Sequence, residues 1–360
     1  MSWRGPQLAR HLEAAAGALP ARLTDQEFWK LIDDLSEPSG SSRTSNLVSN
    51  EQQFQQVIPE LTRIAMARRA YIGVGPEQNF SYIAALKPSM AFIVDIRHGN
   101  LDVQLLYKAL FELSANRSEF VSKLFSRKPM TGFTAQTTGR ELFTAYSRSE
   151  PSQELYDANL KAILDHLKTK HGFPLSDGDV DGITWAYSNY YRFGPGISYN
   201  SSSSSGNAPA IVGMQANGGR RGGGGGATYA ELMMANDGAG KERSYLANDE
   251  NFMVLKNLET KNLLVPVVGD FGGPKAIREV AKYVKGVNAM VSAFYLSNVE
   301  QYLNNDGKHP TFLASVSTLP IDETSRFIRS GSNQGFNGGG GNLGSSLGNM
   351  FQESQPYAGK

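Results

Sequence analysis

Residues 70–97 read AYIGVGPEQNFSYIAALKPSMAFIVDIR, and this stretch decides the predicted fold. Two apolar, β-prone runs at 70–74 and 91–95 flank a segment with helical spacing, and Gly73 and Gly75 mark the turn after the first run. Two parallel strands need a crossover helix to return the chain to the same edge of a sheet. The stretch therefore predicts a strand, a glycine turn, a helix and a second parallel strand.

Two similar units follow near the other end of the chain. The first has a strand at 263–268, a Gly269-Asp270 turn and Pro274 at the first helical position, and the second has a strand at 289–295. With a last strand at 312–318, the sequence predicts five strands, near residues 71, 92, 265, 292 and 314. The predicted fold class is α/β, with a doubly wound, mostly parallel sheet and a large helical insertion.

The predicted organisation has an N-terminal segment, two parts of one sheet domain, an insertion between them and a tail. The N-terminal segment is expected to form a short amphipathic helix rather than an export signal, because His11 and Glu13 interrupt its apolar region. The insertion is expected to cap the ligand-binding edge of the sheet. The predicted bounds are 1–22 for the N-terminal segment, 23–97 and 263–329 for the sheet domain, 98–262 for the insertion with a disordered Gly/Ser loop at 194–227, and 330–360 for a disordered tail.

The amino-acid composition argues against several classes of function. The 360 residues include 35 basic and 34 acidic side chains, so bulk charge attracts neither nucleic acid nor an anionic membrane. The chain has no cysteine, which excludes disulfides, zinc-thiolate sites and thiol nucleophiles. No apolar run reaches the roughly 20 residues of a spanning helix. A cytoplasmic protein without a membrane span is expected, with an exported form left open.

Several local patterns predict helices of the core. Thr24 and Glu27 form a capping box for a helix through Leu35. Asn50 is expected to cap the next helix, which Pro59 would kink. An aromatic cluster in the insertion is expected to be core packing, with stacking on a substrate as the alternative. Its members are Trp185, Tyr187, Tyr190, Tyr191 and Phe193.

The turns after the predicted strands carry the candidate binding groups. Gly73 and Gly75 allow close approach of backbone to a ligand, and Asp95 lies 20 residues beyond Gly75, where a carboxylate accepts hydrogen bonds from ribose hydroxyls. Glu77 would repel a pyrophosphate at the helix start but suits a cationic ligand. The alternative is that Glu77 only stabilises the first turn of that helix.

Four acids fall at the predicted carboxyl ends of the strands: Glu77, Asp95, Asp270 and Glu300. Their convergence predicts an acidic crevice, which favours a ligand with positive charge or a bound metal over a phosphate-rich ligand. The five histidines show no metal-ligand spacing, and the chain has neither a P-loop nor a Gly-x-Ser-x-Gly motif. No metal ligands are therefore assigned, and hydrolase and kinase functions lose support.

Four blocks, LVSNE at 47–51, YIGVGPEQNFSYIAAL at 71–86, AFIVDIR at 91–97 and VSAFYLSNVEQYL at 291–303, carry a family resemblance. From about 23 to 329, without the Gly/Ser loop, the chain resembles an uncharacterised bacterial family with a class I S-adenosylmethionine-dependent methyltransferase-like (Rossmann) fold. The resemblance implies that Gly73, Gly75 and Asp95 bind the cofactor. It also implies that the loop before the first strand, with Asn46, Ser49, Asn50 and Glu51, closes over it.

The leading hypothesis is an S-adenosylmethionine-binding, Rossmann-like protein that methylates a small molecule. A nicotinamide-dependent oxidoreductase and a non-catalytic ligand-binding protein of the same fold are the alternatives. The predicted cofactor-binding residues are Asn50, Gly73, Gly75, Glu77, Gln78, Asn79, Asp95 and Arg97. The residues predicted to face the substrate and act in catalysis are Asp270, Asn298 and Glu300.

Overall fold

A computed structural model describes residues 19–38, 46–203, 226–331 and 344–359. The predicted N-terminal helix falls almost wholly outside these residues. So do most of the Gly/Ser loop, at 204–225, and part of the predicted tail, at 332–343. Within the described part of the chain, no helix has both the length and the apolar character needed to cross a membrane.

The described residues form one six-stranded sheet. Its strands are β1 (Ala70–Gly73), β2 (Met90–Asp95), β3 (Leu264–Val268), β4 (Val291–Ser297), β5 (Arg326–Gly331) and β6 (Gly344–Asn349). Their order across the sheet is β3-β2-β1-β4-β5-β6, with β6 antiparallel to β5 and every other neighbouring pair parallel. The prediction of an α/β fold with a mostly parallel sheet is confirmed.

Fifteen α-helices surround this sheet among the described residues. They are α1 (Asp25–Leu35), α2 (Ile58–Ile64), α3 (Gln78–Leu86), α4 (His98–Leu113), α5 (Arg117–Phe125), α6 (Gly139–Tyr146), α7 (Gln153–Asp165), α8 (Asp177–Phe193), α9 (Tyr199–Ser203), α10 (Tyr229–Met234), α11 (Asp249–Thr260), α12 (Ala276–Gly286), α13 (Val299–Asn305), α14 (His309–Val316) and α15 (Met350–Ser354). A π-helical turn, His166–Lys170, continues α7.

The predicted last strand at 312–318 is wrong, because this segment belongs to α14 and the turn after it. Phe312, Leu313 and Val316 are buried, and a short apolar run of this kind fits a buried helix as well as a strand. Pro310 in the first turn of α14 is the helix-start signal that distinguishes the two. The fifth strand is instead β5, which has arginines at two of its six positions.

The predicted disordered tail is also wrong where the structure describes it. Residues 344–349 pair with β5 along its full length, and Met350 at the start of α15 is fully buried. The sequence GSSLGN has little β-propensity, so its strand conformation comes from backbone hydrogen bonding to β5 rather than from its side chains.

Two smaller expectations fail near the loops. Asn50 does not cap a helix, since a 3-10 turn at Phe54–Val57 leads directly into α2 and places Pro59 in its first turn. The segment 194–203, predicted as part of a disordered loop, holds a 3-10 turn and α9. The Thr24 and Glu27 capping box, by contrast, is confirmed at the start of α1.

The core lies in two layers beside the sheet. Strands β1, β2 and β3 are fully buried, and α4 contacts β2 and β3 as well as α8 and α11. Tyr187 and Tyr190 of α8 are completely buried, as predicted for core residues, whereas Trp185 and Phe193 are partly buried against the core and Tyr191 is partly exposed. Because α4 lies between strands and helices, nearly all of its side chains are buried, polar ones included.

The turn between β1 and α3 is held by one side chain. The Asn79 Nδ2 atom donates to the carbonyl oxygens of Val74 at 2.8 Å, Pro76 at 2.9 Å and Gly75 at 3.3 Å. Its Oδ1 atom accepts from the Tyr71 hydroxyl at 2.9 Å. A Cβ atom on Gly73 would lie 1.9 Å from Asn79 Oδ1, so these hydrogen bonds of Asn79 require glycine at position 73.

We expect Gly73→Ala to lower the free energy of unfolding by about 1 to 3 kcal/mol, because the added methyl displaces the Asn79 amide. Urea denaturation measures this. Gly286→Ala is the matched control: a Cβ there meets nothing within 4 Å, and the residue ends α12. Equal effects of the two substitutions would contradict the role of Gly73.

Candidate functional site

A cavity of about 380 Å³ lies at the carboxyl ends of β3, β2, β1 and β4. Its wall takes residues from 74–76 after β1, 95–97 at the end of β2, 269–271 after β3 and 295–308 from β4 onward, with 46–50 on the remaining side. This volume suits a small organic ligand. The four strands thus present their turns to one shared space.

The structure brings together six of the eleven predicted site residues. Those in the cavity wall are Asn50, Gly75, Asp95, Arg97, Asp270 and Asn298. The other five, outside the wall, are Gly73, Glu77, Gln78, Asn79 and Glu300. Gly73 and Asn79 build the turn beneath the cavity, as described above.

The Asp95 carboxylate already forms a salt bridge with Arg97. Its Oδ1 accepts from the Arg97 backbone N and Nε, both at 2.9 Å, and its Oδ2 accepts from Arg97 Nη2 at 2.8 Å. The carboxylate is almost fully buried, whereas Arg97 is partly exposed toward the cavity. A carboxylate offers about four acceptor positions, so one position on Oδ2 stays open to a ligand.

Asp270 likewise has a cationic partner. Its Oδ2 accepts from Lys308 Nζ at 2.8 Å, and its Oδ1 accepts from the Gly272 backbone N at 2.8 Å. Asp306 adds a third carboxylate to the wall, which therefore carries Asp95, Asp270 and Asp306 against Arg97 and Lys308. The cavity is only slightly acidic.

Glu300 lies away from the cavity and faces β5. Its Oε1 accepts from Arg329 Nη2 and His309 Nε2, both at 3.0 Å, and Arg329 Nε donates to its Oε2. Although burial acts to raise the pKa of Glu300, these two partners hold that pKa below its usual value. The prediction that four acids meet at one rim is therefore wrong for Glu300, and it is also wrong for Glu77.

Glu77 is completely buried behind the turn that follows β1. Its Oε1 accepts from the Ser49 backbone N at 3.1 Å, while Oε2 has no hydrogen-bond partner among the described residues. Burial raises the pKa of Glu77 to about 7, against the effect of the backbone N–H groups of Ser49 and of Glu77 itself. Glu77 is the N-cap residue of α3, but its side chain accepts from the loop before α2 and makes no capping hydrogen bond to α3.

Glu37, which the sequence did not single out, does cap a helix. Its Oε1 accepts from the backbone N of Ala276 at 2.9 Å and of Lys275 at 3.2 Å. The chain after α1 thus delivers a carboxylate to the start of α12, which follows β3. The N-terminus of α12 is filled by one of the protein's own acids, and an acid also lies at the N-cap of α3.

Glu51 ties the loop before α2 to the sheet. Its Oε1 accepts from the hydroxyls of Tyr295 at 2.7 Å and Ser297 at 2.6 Å, and its Oε2 accepts from Gln78 Nε2 at 2.6 Å. Gln78 in turn hydrogen-bonds Ser49. Glu51 therefore does not line the cavity but fixes the residues that do.

Ser297 combines this contact with a strained backbone. It has a φ of 51°, a left-handed conformation that is uncommon for residues other than glycine, and it lies in the cavity wall at the end of β4. The pairing of β4 with β5 shifts register between Tyr295 and Ser297. This shift re-aims the end of β4 toward the cavity.

Other wall residues escaped the sequence reading because they lie in segments assigned to other roles. Tyr199 is, among the described residues of 98–262, the one insertion residue in the wall, so the other described residues of the insertion do not line this cavity. Helix α13 instead covers it with Tyr302 and Leu303. Tyr302 and Ile96 are large apolar side chains with about half or more of their surface exposed.

The spacing of the histidines along the chain did not reveal the residues that could bind a metal ion. Among the described residues, two groups of side chains could hold a metal ion, and both lie outside the wall of the cavity. They are His98, Asp102 and Asp179, and Glu112, His166 and His171. Each group combines residues of α4 with residues far along the chain, which is why spacing along the chain did not reveal them.

We expect Glu77→Gln to change how stability depends on pH. The folded-state pKa of about 7 lies above the ordinary value of 4.5, so Glu77 stabilises the fold fully below pH 4.5. That stability is lost as the pH rises through 7, by about 3 kcal/mol in total. Urea denaturation between pH 4 and 8 should therefore show the wild type losing stability relative to Glu77→Gln. A difference in unfolding free energy between wild type and Glu77→Gln that stays constant with pH would contradict the buried position of Glu77. Glu60→Gln, at an exposed position, serves as the control.

Comparison with known proteins gives the family of the chain. A family model described as a domain of unknown function, DUF7790, matches residues 46–173 and 227–351. These segments include the sheet strands and most of the cavity wall. No curated protein matches the chain. Because the two segments make up more than half of its length, the protein belongs to the DUF7790 family.

Proposed function

We propose that the cavity binds S-adenosylmethionine and that the protein transfers its methyl group to a small molecule. The cavity's place in the sheet supports this. Chain order reverses at β1, with β2 and β3 on one side and β4 on the other, and open α/β sheets of Rossmann-like type bind ligands at such a switch point.

The observation that carries the proposal is a carboxylate at the start of each of the two helices beside this edge. Glu37 accepts from the backbone N–H groups at the start of α12 that a pyrophosphate would use. Glu77, the N-cap residue of α3, would repel a pyrophosphate at that helix start. S-adenosylmethionine carries a sulfonium and an ammonium group and no phosphate. Its charge therefore fits this edge better than that of a dinucleotide.

The wall offers a matching arrangement for each part of the ligand. The open acceptor position on Asp95 Oδ2 would take a ribose hydroxyl without breaking the pair with Arg97. Ile96, next in the chain and half exposed, would pack against the adenine ring. The ammonium group would gain from the excess of carboxylates over cations in the wall.

Methyl transfer needs mainly in-line placement of an acceptor beside the sulfonium. Asp270 and Asn298 lie in the wall and would orient that acceptor, whereas Glu300, paired with Arg329, is left out of this role. The absence of a recognisable catalytic motif in the sequence is consistent with a reaction that depends on positioning.

A second candidate function has one observation in its favour. Arg97 in the wall beside Asp95 is placed as an arginine that would receive the 2′-phosphate of NADPH. A nicotinamide-dependent oxidoreductase would then be the function. Fluorescence titration with NADPH and NADH tests it, with tighter binding of NADPH as the expected result.

We expect isothermal titration calorimetry to detect binding of S-adenosylmethionine and S-adenosylhomocysteine. Asp95→Ala should weaken both by about 10- to 100-fold, since it removes a hydrogen bond to a charged acceptor. Glu60→Gln, on an exposed face of α2, should leave both affinities unchanged. Absence of heat from either ligand with folded protein would refute the proposal.

A further inference from the structure

His98, Asp102 and Asp179 converge where α4 meets α8. His98 and Asp102 are one helical turn apart on α4, so they share a face. Asp179 lies in the first turn of α8, which packs against α4. One ligand atom from each residue lies within 4.8 Å of the other two.

Asp102 is the anomaly in this group. The residue is only 1% exposed, and neither of its carboxylate oxygens has a hydrogen-bond partner among the described residues. The α8 backbone closes over it, since a Cβ on Gly182 would lie 2.0 Å from Asp102 Oδ2. Burying an unpaired carboxylate costs several kcal/mol, so such a group needs a proton or a cation.

The other two side chains meet beside Asp102. His98 Nε2 lies 2.6 Å from Asp179 Oδ1 and 3.9 Å from Asp102 Oδ1. Asp179 is oriented by a capping box, in which its Oδ2 accepts from the Ser176 backbone N at 2.7 Å and from Ser176 Oγ at 2.8 Å. This leaves Asp179 Oδ1 directed at His98. The His98 side chain is 34% exposed, which gives an ion a route from solvent.

We propose that His98 Nε2 and the carboxylates of Asp102 and Asp179 bind one divalent transition-metal ion. One imidazole nitrogen and two carboxylate oxygens suit Zn²⁺, at metal–ligand distances of about 2.0 to 2.2 Å. Donor atoms that share such an ion lie about 3 to 3.5 Å apart, so small side-chain movements complete the site. Three protein ligands leave a fourth position for water.

Burial, opposed by the charge of His98 and assisted by that of Asp179, raises the pKa of Asp102 to about 8. Without an ion, a proton on Asp102 or on His98 must offset this cost. A divalent ion would replace that proton and balance both carboxylates at once. Its binding is therefore expected to release protons.

The other group, Glu112 with His166 and His171, is already complete without an ion. Lys108 Nζ contacts Glu112 Oε1 at 2.7 Å, and both histidine Nε2 atoms contact Glu112 Oε2, at 2.6 Å and 2.7 Å. His171 Nδ1 contacts Asp25 at 2.7 Å. Here a buried lysine supplies the positive charge, so this group is an ion-pair network rather than a metal site.

The test is calorimetric titration of the chelator-treated full chain with ZnCl₂. We expect one ion per chain, with proton release that appears as a dependence of the heat on the buffer. Asp102→Asn and His98→Ala should each weaken binding by about 100-fold or more. Asp177→Asn is the matched control, because Asp177 lies in the same turn of α8 but outside the group and is exposed.

Co²⁺ absorption provides a second readout, and the wild-type spectrum in it does not depend on the stability of any variant. Wild-type protein with one Co²⁺ should show ligand-field bands of a nitrogen- and oxygen-bound ion, and His98→Ala should lose them. Lack of stoichiometric Zn²⁺ uptake by the wild type would overturn the proposal. So would uptake that survives in His98→Ala and Asp102→Asn but disappears in His166→Ala.

Discussion

The Asn79 amide is the contact on which the cavity depends. One side chain donates to three successive carbonyl oxygens after β1 and so fixes the path of the chain between the first strand and its helix. A buried carbonyl without a donor is costly, and among the described residues only the Gly75 carbonyl of the three has a second side-chain donor, Gln104 Nε2 at 3.2 Å. The same contact places Gly75 in the cavity wall and Glu77 behind it. Gly73 is the condition for it, because no side chain fits beside the amide.

Charges around the cavity are balanced largely within the protein. Arg97 pairs with Asp95, Lys308 with Asp270, and Arg329 with Glu300. Glu37 caps the start of α12 and Glu77 is buried against the Ser49 backbone, so neither side chain lines the cavity. An edge that looks strongly acidic in the sequence therefore becomes a nearly neutral space with defined donors and acceptors.

The sequence was most informative where one short segment determines its own structure. The unit from β1 to β2, strand β3 and the placement of Asp95 and Asp270 after their strands all follow from local apolar runs and glycine turns. Strand β5 did not, because its arginines hide the alternation and its partner β6 has almost no sequence signal. The apolar run in α14 predicts a strand, and this is why the sequence places the fifth strand at 312–318 rather than at β5.

Partners distant in the chain account for the rest. Lys308 lies 38 residues from Asp270, and Glu37 lies 239 residues from Ala276, so neither contact has a signature in local spacing. The same is true of His98 and Asp179, which are 81 residues apart. Such side chains become neighbours only through the packing of α4 against α8 and of α1 beside β3. Glycine turns and helix caps can be predicted from a short stretch of sequence, whereas ion pairs between distant segments cannot.

The antiparallel pairing of β6 with β5 has a consequence for synthesis on the ribosome. Until Gly344–Asn349 leave the exit tunnel, the backbone N–H and C=O groups along one side of β5 have no partner, although the parallel strands before it are already available to assemble. An unprotected strand of this kind is open to pairing with another nascent chain. The residues of β6, which have little β-propensity of their own, are therefore the last of the six strands to be made and the ones that cover this edge of β5.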